Sequence, residues 1–347
     1  MPVLPNAPLR KPGMTTLPAD IDVEWNELVD AVRPVGRAGG LRDLANLWRA
    51  SRDREVLILR GSVALRDRYR DLVLVLLLKL RRRRPRVLLT DCTWEVRSAA
   101  LERRLGRLAV VVPVLARLAV RALDGPHVRY GVLSSEERAA FPRTWGVPAE
   151  RVVRTTFQHT LNGGGEHMPT ADAGYLFAGG NSLRDHDLLA AAVEDAPYRV
   201  IVAADWQPRR PLPNLTAGPV PHGEFLRLLA DARACVVPLA ASVRSAGQQT
   251  YLNAMALGKP CVVTDSPGVR DLLADGVTGY IAPSDPAGLR TVLDRVMAGG
   301  DDVEEVGRRA RQEVLAHHTE FTYRRDLLRL AGLPVPLTQT RAGVGAA

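Results

Sequence analysis

The stretch Ser245-Ala-Gly-Gln-Gln-Thr-Tyr-Leu-Asn253 gathers small, hydroxyl and amide residues just ahead of a helical pattern. A strand ending at Pro238 opens into this loop, and a helix is predicted from about Gln249 to Leu257. The unpaired N–H groups at a helix start, at the positive end of its dipole, form a site for an anion such as a diphosphate. Gln248 and Thr250 add side-chain donors, Ser245, Gln249 and Asn253 flank them, and Gly247 permits close backbone approach. Gly258 can end the helix with positive φ, and Lys259-Pro260 begins the next strand. A second run, Phe177-Ala-Gly-Gly-Asn-Ser-Leu-Arg-Asp185, also follows a strand. Gly179, Gly180 and Asn181 form its turn and Arg184 supplies a cation. The plain alternatives are a solvated arginine at a helix start, an ordinary turn lysine at 259 and an ordinary cap at 247–250.

Two more sets of reactive side chains follow strands in the first half of the chain. Asp91-Cys-Thr-Trp-Glu95 offers Asp91 and Glu95 to bind or deprotonate a substrate hydroxyl. Equally, Asp91 is a helix cap and Glu95 an exposed charge. Phe157-Gln-His-Thr160 offers His159 as a contact for a substrate or a diphosphate, although a lone histidine is more often structural. The three cysteines, Cys92, Cys235 and Cys261, show no CxxC spacing and no metal-ligand cluster. Cys235 and Cys261 sit in apolar runs and read as small core residues in a reducing compartment.

The elements that must position these residues alternate between strand and helix. Strands are predicted at Glu55–Leu59, Arg86–Thr90, Val128–Leu133 and Val152–Thr156, with helices at about 65–83 and 98–123 between them. Ser134 and Ser135 are candidate caps of a further helix, with Glu136 and Glu137 in its first turn. After Asn162-Gly-Gly-Gly165, a flexible linker signal, the alternation restarts. Strands are expected at Tyr175–Ala178, Tyr198–Ala203, Ala234–Pro238 and Pro260–Thr264, with helices at about 183–193 and 223–231. Helix is then expected for most of 269–331. The domains are therefore set as a proline-rich, disordered lead-in over 1–20, a first Rossmann-like domain over 21–160, a linker over 161–172, a second domain over 173–333 and a flexible tail over 334–347. Two such units imply a cleft, with ligands beyond the carboxyl ends of the strands.

A chain of 347 residues suits two domains. Its 46% apolar and 24% charged residues are those of a globular protein. The net charge of +9, mostly from arginine, favours phosphate-bearing partners: nucleic acid, anionic lipid or a phosphorylated small molecule. Nucleic acid is disfavoured, because no reading module is present and the arginine runs lack interleaved aromatics. No signal peptide and no apolar run long enough to span a bilayer is read, and a cytoplasmic location follows. Two shorter apolar runs, Asp71–Leu80 before Arg81–Arg84 and Leu108–Val120 flanked by Arg103, Arg104, Arg107, Arg117 and Arg121, fit a peripheral seat on an anionic membrane, at the inner face of the plasma membrane. They fit equally well as buried helices with arginines at the rim.

The segment Ser245–Asp265 resembles the nucleotide-sugar motif of the retaining GT-B glycosyltransferases called family 4. Asn253-Ala-Met-Ala-Leu-Gly-Lys-Pro260 matches its second half, and Gly268–Pro283 matches its usual continuation. The resemblance covers about residues 173–330 and is much weaker before 150. It implies an α/β fold of the GT-B type, two Rossmann-like domains with parallel sheets facing across a cleft. The expected reaction moves a sugar from a nucleoside-diphosphate sugar to a hydroxyl of a glycan, lipid-linked or small-molecule acceptor. No cofactor or metal is expected: Arg184, Lys259 and the helix start would stabilise the leaving diphosphate. Two departures stand out. The family carries glutamates where this chain has Ser245 and Asn253, and its usual arginine beside the glycine turn is Asn181 here. A rival reading is therefore a non-catalytic nucleotide-sugar-binding protein of the same fold.

Overall fold

The computed structural model describes residues 11–17, 23–61, 63, 69–95, 111–161 and 164–335. These residues divide into two compact units. The first gathers the described residues of Met1–Leu133, Arg138–Thr155 and Arg324–Ala347, and the second those of Ser134–Glu137 and Thr156–Tyr323.

The first unit is built on β1 (Gly13–Thr15), β2 (Val29–Ala31), β3 (Val56–Arg60), β4 (Arg86–Thr90), β5 (Val128–Val132) and β6 (Val152–Arg154), with α1 (Val23–Leu28), α2 (Leu41–Ala50), α3 (Arg70–Leu78), α4 (Val112–Leu123) and, from Arg138 onward, α5 (Ser135–Trp145), whose first residues through Glu137 group with the second unit. The six strands form one parallel sheet in the order β2-β1-β3-β4-β5-β6. Parallel strands need covered crossovers, so both faces are buried and the strands read as apolar runs. Val56, Leu57, Ile58 and Leu59 are all fully buried.

The second unit carries β7 (Tyr175–Gly179), α6 (His186–Ala192), β8 (Arg199–Ala203), β9 (Leu215–Gly218), α7 (His222–Asp231), β10 (Ala234–Val237), α8 (Gln248–Ala256), β11 (Cys261–Thr264), β12 (Tyr280–Ala282), α9 (Pro286–Ala298) and α10 (Asp301–His317). Its sheet is also parallel, in the order β12-β11-β10-β7-β8-β9. Alternate residues of the central strands feed two cores. Phe177, Cys235, Val237, Cys261 and Val263 pack with Tyr251, Met255 and Val314 of α8 and α10. Leu176, Ala178, Val236 and Val262 pack on the other face with Leu189, Leu289 and Leu293 of α6 and α9. Buried Cys235 and Cys261 are core residues, as their apolar runs suggest.

Several expectations are corrected. Gly13–Thr15 lies inside the stretch read as a lead-in, yet it is a buried strand between β2 and β3. Proline-rich flanks hid it, and a three-residue strand carries no period to read. Helix fills most of 269–331, as expected, but Tyr280–Ala282 within it is a strand on β11. The last helix, α11 (Glu320–Ala331), joins the first unit from Arg324 onward rather than closing the second domain. There, Arg129 and Arg86 donate to the Leu330 and Gly332 carbonyls. The helix expected over 98–123 is described from Val112, and Arg103, Arg104 and Arg107 lie outside the described residues, as do Asn162 and Gly163 of the linker signal and residues 336–347.

Candidate functional site

The site is assembled where two loops of the second unit meet at the carboxyl edge of its sheet. The turn after β7 pairs with the chain leaving β10. Asp185 N donates to Pro238 O at 3.0 Å, and Ala240 N to Leu183 O at 3.0 Å. This pairing turns Arg184 inward, toward the start of α8. Its Nε donates to Gly179 O (3.0 Å), one terminal nitrogen to Ser182 O (2.8 Å) and the other to Thr250 Oγ1 (3.0 Å). All three acceptors are neutral, and among the described residues no carboxylate lies within ion-pair distance of the guanidinium. Burial disfavours the charge and holds the pKa down at about 10. At neutral pH the arginine is still a cation, and its charge has no carboxylate partner among the described residues.

The start of α8 adds to that field. Gly247 caps it at φ 84° with no side-chain cap. A Cβ at this position would approach Val237 Cγ1 to 2.9 Å, so glycine is needed for both the backbone angle and the space. Thr250 N and Tyr251 N already donate to Gly247 O, so the N–H groups a helix start can offer an anion here are those before Thr250. Gln248 is 4% exposed, and its Nε2 has no partner among the described residues. Gly180, at φ 93°, packs against the Arg184 guanidinium. A Cβ at Gly179 would collide with the Phe225 ring. His186 steadies the same turn: its Nε2 lies 2.9 Å from Gly180 O, and burial lowers its pKa. Neutral His186 with the proton on Nε2 fits that contact, because a carbonyl only accepts.

The other sequence candidates fall in varied places. Exposed Asn181 uses Oδ1 to accept from Asp205 N at 2.8 Å, fixing the turn. Gln249 is exposed and donates to Thr160 Oγ1 at 3.1 Å. Asn253 is 2% exposed, and both ends of its amide face Thr160: Oδ1 accepts from Thr160 N (2.8 Å) and Nδ2 donates to Thr160 Oγ1 (3.0 Å). Buried His159 donates its backbone N–H to His318 O, and its Nδ1 accepts from Leu161 N. Burial lowers its pKa. Lys259 is not brought to the helix start. It follows the opposite end of α8, a nine-residue helix roughly 13 Å long, and its Nζ donates to Ala171 O. Asp91 and Glu95 belong to the first unit. Asp91 follows β4 in a left-handed conformation (φ 57°), and burial raises its pKa despite the nearby Arg60. Behind it, Trp94 Nε1 donates to Gly61 O.

Three contributors were not read from the sequence. Ser245 is 2% exposed and bonded to the Glu137 carboxylate. Glu137 had looked like a charge favoured by a helix start, and no local pattern links it to a loop 108 residues away. Thr160, adjacent to the predicted His159, is the residue that engages Asn253. Arg244 places a second basic side chain at the rim, donating to Ser182 Oγ at 3.3 Å. Among the described residues, no group of three or more His, Cys, Asp or Glu side chains could hold a metal ion.

Two parallel Rossmann-like sheets, the second with a cationic, glycine-lined helix start at its carboxyl edge, define the class: a GT-B glycosyltransferase fold. Residues 213–299 match the model of the family described as Glycosyl transferases group 1. Among solved structures, the chain is similar to the Anabaena protein HepE in complex with UDP and glucose, at 13% identity and TM-score 0.61, covering 89% of this chain and 88% of that one. It is similar to sucrose-phosphate synthase from Thermosynechococcus elongatus at 15% identity and TM-score 0.58, covering 83% and 77%. It is also similar to WaaG, a glycosyltransferase involved in lipopolysaccharide biosynthesis, at 13% identity and TM-score 0.52, covering 92% and 98%. No curated protein matches the chain in sequence.

Proposed function

We propose that this chain transfers a sugar from a nucleoside-diphosphate sugar to an acceptor hydroxyl, with retention at the anomeric carbon and without a metal. The observation that carries the reading is Arg184, a half-buried guanidinium with neutral partners beside an uncapped helix start. An anion bound there meets a full charge and preorganised N–H donors, the groups that stabilise a leaving diphosphate. The HepE structures contain UDP, UDP-glucose, or UDP with glucose, which makes a uridine diphosphate sugar the first donor to test. Retention rests on the resemblance of Ser245–Asp265 to the family 4 motif. The test is a thermal-shift screen with UDP, GDP and dTDP and their glucose or mannose conjugates, followed by an assay for diphosphate release. Stabilisation by none of these nucleotides would overturn the reading.

A lipid-linked acceptor and a peripheral membrane seat are supported by α4. Its inner face buries Pro113, Val120 and Leu123 in the first unit. Its outer face carries Val111, Val114, Leu115 and Leu118, exposed by 46%, 54%, 58% and 52%. This i, i+3, i+4, i+7 row, with exposed Arg117 and Arg121 on the same helix, is what an interfacial helix presents to anionic lipid. The other apolar run tells against itself: Leu72, Leu74, Val75 and Leu78 of α3 are core. Among the described residues no helix is long and apolar enough to cross a membrane.

A further inference from the structure

Among the described residues of the second unit, Glu137 is the one buried carboxylate, at 6% exposed. It sits in the first turn of α5. The capping Ser134 Oγ accepts from Glu137 N at 3.0 Å and donates to Glu137 Oε2 at 3.2 Å. The carboxylate reaches the loop that leads into α8: Oε1 accepts from Ser245 N at 3.1 Å, and Oε2 from Ser245 Oγ at 3.0 Å. Space for this contact comes from Gly268, where a Cβ would approach the Cβ atoms of both Ser134 and Ser245 to 2.8 Å. The neighbouring acids hold the same corner. Glu136 accepts from Gly268 N, and Asp271 accepts from Ser135 N and Oγ.

A buried carboxylate is a costly way to fasten a loop, since neutral groups would do it without desolvating a charge. Its position suggests the reason. Ser245 lies two residues before Gly247, the cap of α8, so the carboxylate is bonded to the loop that leads into the proposed diphosphate site. A sugar joined to that diphosphate turns hydroxyl donors toward its surroundings and needs acceptors there. Position 245 holds serine, and an acid arrives from α5. We infer that Glu137 is a positioning residue for the sugar end of the donor. It takes the Ser245 hydroxyl proton in a hydrogen bond, which turns the Ser245 Oγ lone pairs toward a ring hydroxyl of the sugar. This inference rests on the donor-site reading above.

The experiment compares Kd for a nucleoside diphosphate with Kd for its sugar conjugate, using whichever of the UDP/UDP-glucose, GDP/GDP-mannose and dTDP/dTDP-glucose pairs the wild type binds. Glu137→Gln and Glu137→Ala are expected to weaken the sugar nucleotide by about tenfold or more while the plain diphosphate changes by less than about twofold. Ser245→Glu alone sets two carboxylates side by side and should lower Tm. Combined with Glu137→Ser it restores a single acid to the locus and should recover most of the sugar-dependent affinity. If both ligands weaken together in the Glu137 variants, the residue only scaffolds α8 and the inference falls. It falls equally if neither ligand weakens, or if the double variant binds the sugar nucleotide no better than Ser245→Glu. A wild type that binds none of the pairs removes the donor-site reading itself, and this inference with it.

Discussion

Arg184→Met should separate folding from ligand binding. In the apo protein the substitution removes three hydrogen bonds, to Gly179 O, Ser182 O and Thr250 Oγ1, each contributing about 1 kcal/mol net. It also removes a half-buried cation with no carboxylate partner among the described residues, whose desolvation opposes folding. The two effects offset, so apo stability should change by no more than roughly 1–2 kcal/mol. Binding has no such compensation. Losing a charge-assisted hydrogen bond costs about 1.5–3 kcal/mol, or roughly 10- to 150-fold in affinity. At a nucleotide concentration of about 100 times the wild-type Kd, linkage stabilises the wild type by about 2.7 kcal/mol. A 100-fold weaker variant would gain only about 0.4 kcal/mol at that concentration. At about 2–4 °C per kcal/mol for a unit of this size, a ligand-induced shift of roughly 5–11 °C shrinks to about 1 °C. Turnover should fall by about two to three orders of magnitude if, as proposed, the same cation stabilises the leaving diphosphate. Differential scanning fluorimetry with and without nucleotide, together with diphosphate release, reads all three quantities. A folded Arg184→Met protein that keeps its nucleotide shift would refute the argument that this guanidinium is the anion's partner.

Other outcomes follow from the same geometry. Gly247→Ala introduces a Cβ at φ 84° and 2.9 Å from Val237 Cγ1; it should cost about 1–3 kcal/mol, seen as a lower urea midpoint. Burial lowers the pKa values of His127, His159 and His186. Each binds its proton more weakly in the folded chain than in the unfolded one, so stability is complete above about pH 6.5 and declines as pH falls below it. Urea melts at pH 7.5 and 5.5 measure that decline, and His159→Gln should lessen it. Leu115→Glu with Leu118→Glu should leave Tm nearly unchanged, since both side chains are more than half exposed. Sedimentation with phosphatidylglycerol vesicles should lose the protein if α4 is its membrane face, whereas undiminished co-sedimentation would assign binding elsewhere.

Much of this protein is determined by its sequence alone. Parallel strands buried on both faces must be apolar runs, so β3, β4, β7, β8, β10 and β11 are legible within a residue or two. The loop-to-helix grammar of Ser245–Thr250 and the glycine turn before Arg184 are local patterns, and the positive helix start follows from them. Short or edge strands such as Gly13–Thr15 and Tyr280–Ala282 are not legible, because three residues carry no period and their pairing decides them. Only the tertiary structure decides which polar groups meet. It turns Arg184 onto Thr250, keeps Lys259 at the far end of α8, engages the Asn253 amide with Thr160 and brings Glu137 to Ser245. Each of these depends on loops distant in sequence converging at a sheet edge. The apparent loss of acid at position 245 is a true statement about the segment and an incomplete one about the folded site, since a hydrogen bond can recruit a carboxylate from any element that packs within 3 Å of it.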